Sequence, residues 1–192
     1  VTEYAGRIRD HAARLMDQAN HEREVVALLT SRPEPVPLDL PAVVERGVAT
    51  CRETYPDADV EVERVADVTV SALPDVADAV TELVRNAVQH NDAADPRVSV
   101  EVDRNGDGRG VVRVVDDGPG IPERERNAVL IDREITPLDH GTGLGLVFAY
   151  WVARLSGGDL SFAENEPRGS VVTLTLPSAG AERAASADDA GQ

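Results

Sequence analysis

Three prolines at alternate positions, Pro33, Pro35 and Pro37, constrain the fold of this chain more than any other sequence feature. Proline lacks a backbone N–H and clashes with a preceding helical turn, so no helix continues through this stretch. The preceding residues contain no proline and a single glycine, which is compatible with one long helix. We therefore predict a helix over residues 1–31, an extended linker over residues 32–37 and a folded domain over residues 38–177.

Apolar residues of the N-terminal segment recur alternately three and four positions apart, which describes one narrow stripe along a helix. The stripe runs through Ala5, Ile8, Ala12, Leu15, Ala19, Val26 and Leu29, with Glu22 as its polar interruption. Such a stripe favours a partner helix in a coiled coil or bundle. The alternative is a helix that folds back on its own domain.

The domain alternates between strand-like and helix-like patterns. Strands are predicted over residues 60–65, 68–72, 98–102, 111–115, 160–163 and 171–176. A helix capped by Asp39, with Pro41 in its first turn, should end near Tyr55. Further helices are predicted from Pro74 to about residues 91–92 and over residues 144–155.

Two segments of the chain lack periodicity. Residues 118–141 are polar and charged, and we predict a long loop that serves as a lid over a site. Residues 178–192 are rich in Ala, Gly, Ser and charge, and we predict a disordered tail.

The charge of the chain is strongly acidic, with 35 acidic against 19 basic residues and a formal net charge of -16. Every basic residue is arginine. This balance argues against a nucleic-acid partner, which needs a basic surface. Dense carboxylates with arginine and no lysine favour adaptation to high salt, where screening weakens their repulsion. The alternative is an acidic composition without such adaptation.

Other aspects of composition limit the kind of protein. Hydrophobic residues make up 42% and aromatic residues 3%, so the core must consist mainly of Val, Leu, Ile and Ala. The single cysteine, Cys51, excludes an internal disulfide and suits a reducing cytosol. No apolar run approaches the roughly 18 residues that span a bilayer, so we expect no membrane contact within this chain.

The first candidate site lies on the helix after Pro74. Glu82, Asn86 and His90 are four residues apart and share one helix face. A carboxylate and a carboxamide one turn apart are suitable oxygen ligands or water-positioning groups for Mg²⁺. The alternative is an ordinary solvated helix face.

The second candidate is the acidic end of a hydrophobic strand, where Asp116 and Asp117 precede Gly118 and Gly120. A carboxylate at a strand end can accept a hydrogen bond from an exocyclic amine such as that of adenine, and the glycines let a ligand approach the backbone. By itself, the motif could equally be a turn.

The third candidate is a glycine-rich entry into the apolar helix, with the sequence Gly141-Thr142-Gly143-Leu144-Gly145. Backbone N–H groups at a helix N-terminus attract an anion such as phosphate. The spacing fits a Rossmann motif poorly, and a Walker loop is excluded because the chain has no lysine.

In this order and spacing, the three motifs resemble the N, G1 and G2 boxes of the GHKL ATP-binding superfamily, specifically the catalytic domain of sensor histidine kinases. Residues 134–140, with Tyr150-Trp151 and residues 156–160, look like the haloarchaeal branch. The resemblance implies an α/β two-layer sandwich of the Bergerat type, a mixed sheet with helices on one face, preceded by a long dimerisation helix.

The resemblance also implies roles for individual residues. Asn86 would ligate the Mg²⁺ that bridges the ATP phosphates, and Glu82 would act as a base, polarise the nucleophile or assist the metal. Asp116 would read the adenine amine, with Gly118 and Gly120 shaping the base pocket. The nucleotide would also contact His90 and the backbone of the phosphate loop, formed by Gly141, Thr142, Gly143, Leu144 and Gly145.

Two departures from the family pattern affect the phosphate end. Gln89 stands where many members have a lysine, so charge on the phosphates must come from Mg²⁺ or from an arginine such as Arg126 or Arg133. The lid contains no phenylalanine, so the F box of the family is not recognisable. Slow turnover or a degenerate site is therefore compatible with the sequence.

The phosphoacceptor histidine is expected outside this chain. His21 and His11 are weaker candidates, because the residues after His21-Glu22 lack the polar-proline pattern of the family. Residues 1–31 resemble the second helix of the dimerisation hairpin, with the acceptor upstream of Val1. The resemblance implies a cytoplasmic catalytic domain, a homodimer through this helix and a response regulator as partner.

The expected function is transfer of the ATP γ-phosphoryl group to a histidine of the intact sensor kinase. One alternative is a nucleotide-binding regulatory module without phosphotransfer. Another is a GHKL serine kinase or ATPase.

Overall fold

A computed structural model describes residues 23–31, 33–93, 95–130 and 144–180. Its helices are α1, described over residues 23–31, and α2 Leu40–Thr54, α3 Val76–Gln89, α4 Glu123–Leu130 and α5 Leu144–Leu155. Its strands are β1 Val36–Asp39, β2 Asp59–Arg64, β3 Thr69–Ala72, β4 Arg97–Arg104, β5 Gly110–Asp116, β6 Asp159–Glu164 and β7 Ser170–Leu176.

Five strands form a mixed sheet in the order β2-β4-β5-β7-β6. The pair β2 and β4 is parallel, whereas the other neighbours are antiparallel. Strands β1 and β3 form a separate antiparallel pair. Because Asp116 pairs with Val98, the end of β5 lies beside the start of β4, next to the segment that leaves α3.

Helices cover one face of this sheet. Along β4 the side chains of Val98, Val100 and Val102 are buried, while the intervening Ser99 and Glu101 are partly exposed. This alternation is the pattern of a sheet with one covered face. Helices α2, α3 and α5 pack on the sheet and α3 lies between the other two, which confirms the predicted two-layer α/β sandwich.

The local signals at α2 act as predicted. The Asp39 side chain accepts a hydrogen bond from the Ala42 N–H at 3.1 Å and caps the helix, with proline in its first turn. The α5 bounds are those predicted, and the other predicted strands and helices of the domain agree within a few residues. The core of Val, Leu and Ala side chains is also as expected, with Val44 and Leu83 almost fully buried.

The structure differs from the prediction in the linker, in the loop over residues 118–141 and in the C-terminal tail. The end of the expected linker is a strand, because Val36 and Pro37 pair with Ala72 and Ser71 of β3. The segment predicted as loop over residues 118–141 contains helix α4, whose short charged sequence masks any helical period.

The expected disordered tail is ordered at its start. Ser178 bridges to Val70, and the Ala179 N–H donates to the Thr69 carbonyl at 3.0 Å. Backbone pairing with β3, invisible in the composition of the tail, holds these residues. Residues 181–192 lie outside the described part of the chain.

Helix α1 buries a different stripe from the predicted one. Val25 and Leu28 belong to the buried hydrophobic cluster, whereas Val26, a member of the predicted stripe, is 55% exposed. Leu29, also a member of the predicted stripe, is partly buried against the same cluster, so the buried face shares Leu29 with the prediction but leaves Val26 exposed. The remainder of the predicted helix, with His11 and His21, lies outside the described residues.

Candidate functional site

The end of β5 carries a buried carboxylate. Asp116 is only 8% exposed, although the residues after it form an irregular surface segment. Its Oδ1 accepts hydrogen bonds from the backbone N–H groups of Gly118 at 2.9 Å and Ser170 at 3.3 Å. Its Oδ2 accepts a hydrogen bond from the Ser170 hydroxyl. These donors hold the carboxylate at a fixed position, as a hydrogen-bond acceptor for a ligand requires.

The glycines after Asp116 leave space that side chains would fill. A Cβ at Gly118 would lie 3.0 Å from Asp116 Oδ1 and 3.3 Å from Asn91 Cα. Gly120 has a φ of +82° and faces the Gly169 carbonyl. Gly118 is therefore restricted to glycine by close protein neighbours, and Gly120 by its positive φ.

Asp117 connects this strand end to α3. Its Oδ1 accepts a hydrogen bond from Asn91 Nδ2 at 2.6 Å and another from the Arg97 N–H at 3.2 Å. The Asn91 hydrogen bond is the largest cause that holds the pKa of Asp117 below its ordinary value. The ionised form of Asp117 is thus part of the folded structure.

The hairpin between β6 and β7 contributes residues that the sequence analysis missed. Asn165 Nδ2 donates to the Asp116 carbonyl at 2.9 Å, and Gly169, with a φ of +117°, lies directly against that carbonyl. Together with Ser170, these residues bring the β6–β7 hairpin into contact with Asp116. The available signal was a glycine and a serine at the start of an alternating strand, which gives no indication of its spatial neighbour.

The predicted polar face is present on α3. Glu82 has a side chain 12% exposed and forms an ion pair with Arg85. Asn86 is partly buried, and His90 is the exposed C-cap residue, whose N–H donates to the Asn86 carbonyl at 3.1 Å. Apolar residues of the same helix, including Leu83, are buried on the other side.

The N-terminus of α5 meets this face of α3. Leu144 is the first residue of α5, and Gly145 lies so close to Glu82 that a Cβ would overlap its carboxylate. The end of the glycine-rich motif and the first candidate site are therefore adjacent. Gly141, Thr142 and Gly143 lie outside the described residues.

Two side chains considered for the phosphate end have other partners. Gln89 Nε2 donates to the Tyr55 hydroxyl at the end of α2. Arg126 of α4 lies 3.6 Å from the Glu164 carboxylate at the end of β6. Arg133 is outside the described residues.

The described side chains offer few ligands for a metal ion and one buried thiol. Among the described residues, no group of three or more His, Cys, Asp or Glu side chains could hold a metal ion. Asn86 provides one amide oxygen, which fits a Mg²⁺ held mainly by phosphate oxygens and water. Burial raises the pKa of the Cys51 thiol, so this residue does not supply a thiolate nucleophile.

The chain is similar to known sensor kinases along much of its length. Residues 73–180 match the family described as histidine kinase-, DNA gyrase B- and HSP90-like ATPase. The sensor-type histidine kinase PrrB of Mycobacterium tuberculosis strain H37Rv is 32% identical over 160 residues, covering 81% of this chain and 35% of PrrB. AfsQ2 of Streptomyces coelicolor, a signal transduction histidine-protein kinase, is 42% identical over 101 residues, 50% of this chain and 18% of that protein.

Solved structures show the same fold. The mycobacterial sensor histidine kinase MprB is 26% identical with a TM-score of 0.62, covering 74% of this chain and 98% of that one. The ATP binding domain of PrrB from Mycobacterium tuberculosis is 29% identical with a TM-score of 0.57, covering 76% and 98%.

A sheet covered by helices on one face, with a buried carboxylate at a strand end, together with the family match, places the chain among ATP-binding α/β domains. The chain belongs to the histidine kinase-, DNA gyrase B- and HSP90-like ATPase family, and it corresponds to the ATP-binding catalytic part of sensor histidine kinases. It spans about 35% of the length of PrrB.

The organisms of the relatives and the lengths of the helices bear on the expected haloarchaeal resemblance and on membrane contact. The relatives above are from Mycobacterium and Streptomyces, which gives the haloarchaeal resemblance no support. Within the described residues, no helix is both long and apolar enough to span a bilayer.

Proposed function

We propose that this chain binds ATP with Mg²⁺ and transfers the γ-phosphoryl group to a histidine outside the chain, within a two-component sensor kinase. The observation that carries the proposal is the contact between Gly145 and Glu82. It joins the end of a glycine-rich anion-binding motif to a helix face with a carboxylate and a carboxamide. Such an arrangement suits a triphosphate with its metal.

The base end of the nucleotide would bind at the end of β5. Asp116 accepts a hydrogen bond from the adenine amine, while Gly118 and Gly120 allow the ring to approach the backbone. His90, exposed at the end of α3, lies on the same helix face as Asn86 and contacts the nucleotide in this proposal.

The phosphate end would bind at the N-terminus of α5. Backbone N–H groups of Gly141, Thr142, Gly143, Leu144 and Gly145 donate to phosphate oxygens, and the helix dipole adds to the attraction. Asn86 supplies an amide oxygen to Mg²⁺, with Glu82 as a further oxygen donor. When bound, Mg²⁺ neutralises charge on the phosphates.

Phosphoryl transfer requires an acceptor imidazole in line with the γ-phosphorus. The imidazole nitrogen forms the new bond to phosphorus as the bond to the bridging oxygen breaks and ADP leaves. The Glu82 carboxylate orients the imidazole or accepts its proton. Its pairing with Arg85 holds the carboxylate in place.

The proposal extends to the partners of the intact kinase. The exposed Val26 side chain supports a homodimer through the N-terminal helix. The sensor-kinase relatives support a response regulator as the phosphoryl recipient and a cytoplasmic location for this domain, with any membrane anchor in other parts of the protein. We propose no nucleic-acid partner, in keeping with the charge of -16.

One observation favours a second candidate, a nucleotide-binding regulatory module that does not transfer phosphate. Gln89 replaces the lysine of many relatives, and its side chain is bound to Tyr55. Arg126 is paired with Glu164. With Gln89 in place of a lysine and Arg126 paired elsewhere, less positive charge reaches the phosphates, and such a site would bind nucleotide yet stabilise transfer poorly. A GHKL serine kinase or ATPase has no comparable observation in its favour.

The experiment mixes this chain with γ-labelled ATP and a full-length parent kinase whose own nucleotide site is inactivated. Acid-labile label on the partner is expected for histidine phosphorylation. Asn86→Asp should abolish transfer, because a carboxylate beside the triphosphate adds repulsion and changes the metal ligand. The matched control is Asn105→Asp in the turn between β4 and β5, which should transfer normally. Nucleotide binding without label transfer in any salt concentration would establish the regulatory module instead.

A further inference from the structure

Asp116 is fixed from the side of the β6–β7 hairpin through its main chain. Asn165 Nδ2 donates to the Asp116 carbonyl, and the Asn165 N–H donates to the Gly169 carbonyl at 3.1 Å. The second hydrogen bond closes the hairpin, so the amide of Asn165 is presented from a rigid turn. The Asp116 backbone therefore cannot move without breaking this contact.

The opposite side of the same backbone is fixed through Asp117. Asn91 donates from Nδ2 to Asp117 and accepts at Oδ1 from the Ala93 N–H at 2.9 Å. Both ends of the Asn91 carboxamide are thus used, which prevents its rotation. The segment leaving α3 is thereby tied to the residue next to the base-binding carboxylate.

An ion pair joins these two sides directly. Arg168, in the hairpin, pairs with Asp92, the neighbour of Asn91. These contacts fix the main chain at residues 116–117, and we call the set of residues that make them the Asp116 clamp: Asn91, Asp92, Asp117, Asn165 and Arg168. Its members come from three separate segments of the chain.

We propose that the Asp116 clamp makes the site selective for adenine over guanine nucleotides, with Asn91 and Asn165 as positioning residues. This inference rests on the proposed function of Asp116 in reading the base. Guanine has a carbonyl where adenine has its amine, and a fixed carboxylate would face that carbonyl unfavourably. A carboxylate free to shift could accept hydrogen bonds from the ring N–H and amine of a rotated guanine instead.

The two asparagines are better placed to control selectivity than the ion pair. Their hydrogen bonds are partly buried and reach the Asp116 and Asp117 atoms themselves. Arg168 and Asp92 have side chains about half exposed, at 49% and 59%, so their attraction is weakened by solvent and salt. Loss of Asn91 or Asn165 should therefore affect selectivity more than loss of Arg168.

The test measures dissociation constants of this chain for ATP and GTP by competition against a fluorescent ATP analogue. Asn91→Ala and Asn165→Ala should each lower the ATP preference over GTP by about fivefold, which is about 1 kcal/mol of discrimination, because the main chain that carries the Asp116 carboxylate is then less firmly fixed. Asn105→Ala is the matched control, since Asn105 Oδ1 accepts from the Asp107 and Arg109 N–H groups at the far end of the same strand pair. It should leave the preference unchanged while costing comparable stability.

A double substitution separates positioning from a general loss of structure. If Asn91 acts through Asp117, then Asn91→Ala should change the preference no further in an Asp117→Ala background. Equal changes in both backgrounds, or an unchanged preference in folded Asn91→Ala and Asn165→Ala variants, would overturn the clamp. Thermal unfolding of every variant identifies those that are folded.

Failure of the proposed function would look different. In that case the unsubstituted chain would bind neither nucleotide, or Asp116→Asn would bind ATP as tightly as the unsubstituted chain. ATP binding that depends on Asp116 but not on Asn91 or Asn165 would retain the proposed function and reject the clamp.

Discussion

Gly145, near the start of α5, lies directly against the carboxylate of Glu82 on α3, and no side chain fits between the two helices at this point. The contact brings the glycine-rich motif to the polar face of α3. A methyl group added at Gly145 would therefore displace the Glu82 carboxylate.

If Glu82 acts in catalysis as proposed, Gly145→Ala should lower phosphoryl transfer by about tenfold to a hundredfold, because displacement of a catalytic group by about 1 Å costs that much. Stability should change little, since alanine suits a helix and the displaced atoms are the end of a flexible side chain. Transfer rates and thermal unfolding midpoints measure the two effects. Gly106→Ala is the control, because a Cβ there meets nothing within 4 Å. If Gly145→Ala transferred phosphate as fast as the unsubstituted chain, Glu82 would have no catalytic role.

Gly169→Ala should destabilise the fold more than any glycine substitution in an open turn. Gly169 combines a φ of +117° with contact against the Asp116 carbonyl, whereas Gly108 has a φ of +78° and open space around it. Gly108→Ala should cost about 1–2 kcal/mol from backbone strain alone. Urea unfolding should show a larger loss for Gly169→Ala, together with weaker ATP binding. Equal losses for the two variants would mean that the hairpin adjusts without moving Asp116.

The contact between Asn91 and Asp117 predicts a pH dependence of stability. Because this hydrogen bond holds the pKa of Asp117 below its ordinary value of about 3.9, the folded state favours the ionised carboxylate. Its contribution is fully present above that ordinary value and is lost as the pH falls through the lowered folded-state pKa. Urea unfolding should therefore show a smaller decline between about pH 5 and pH 3 for Asn91→Ala than for the unsubstituted chain. Parallel declines would assign the acid sensitivity to other carboxylates.

High salt should stabilise this chain. With a net charge of -16, carboxylate repulsion opposes the compact state, and raising ionic strength from about 0.1 M to about 1 M shortens the screening length from about 10 Å to about 3 Å. The midpoint of thermal unfolding should rise with KCl over this range. A sucrose series serves as control, because sucrose favours compact states without screening charge. An unchanged or falling midpoint in KCl would favour an acidic composition without adaptation to salt.

Local signals in the sequence were sufficient for most elements of the fold. Asp39 and the proline after it mark the start of α2, and the apolar run before Gly157 marks α5, because capping and periodicity depend on neighbouring residues. The signals were too weak for α4, whose charged residues form no apolar stripe, and for β1, where proline suggested a linker. Strand β1 depends on pairing with β3, which no local pattern reports.

The residues of the candidate site divide in the same way, into those with a local sequence signal and those without one. Glu82, Asn86, Asp116 and the glycines carry recognisable spacing along the chain. Ser170 and Asn165 carry none, although both contact Asp116. Their role depends on a hairpin whose hydrogen bonds to Asp116 span 49 and 54 positions of sequence.

The sequence by itself determined the alternation of strands and helices and the places where glycine and carboxylate motifs interrupt them. These features follow from periodicity, capping and backbone freedom, which act between residues close in the chain. Only the tertiary structure decided that Glu82 meets Gly145, that Asn165 and Ser170 contact Asp116 and that α1 buries Val25 instead of Val26. Such contacts join distant segments, and their geometry is set by the packing of the whole core.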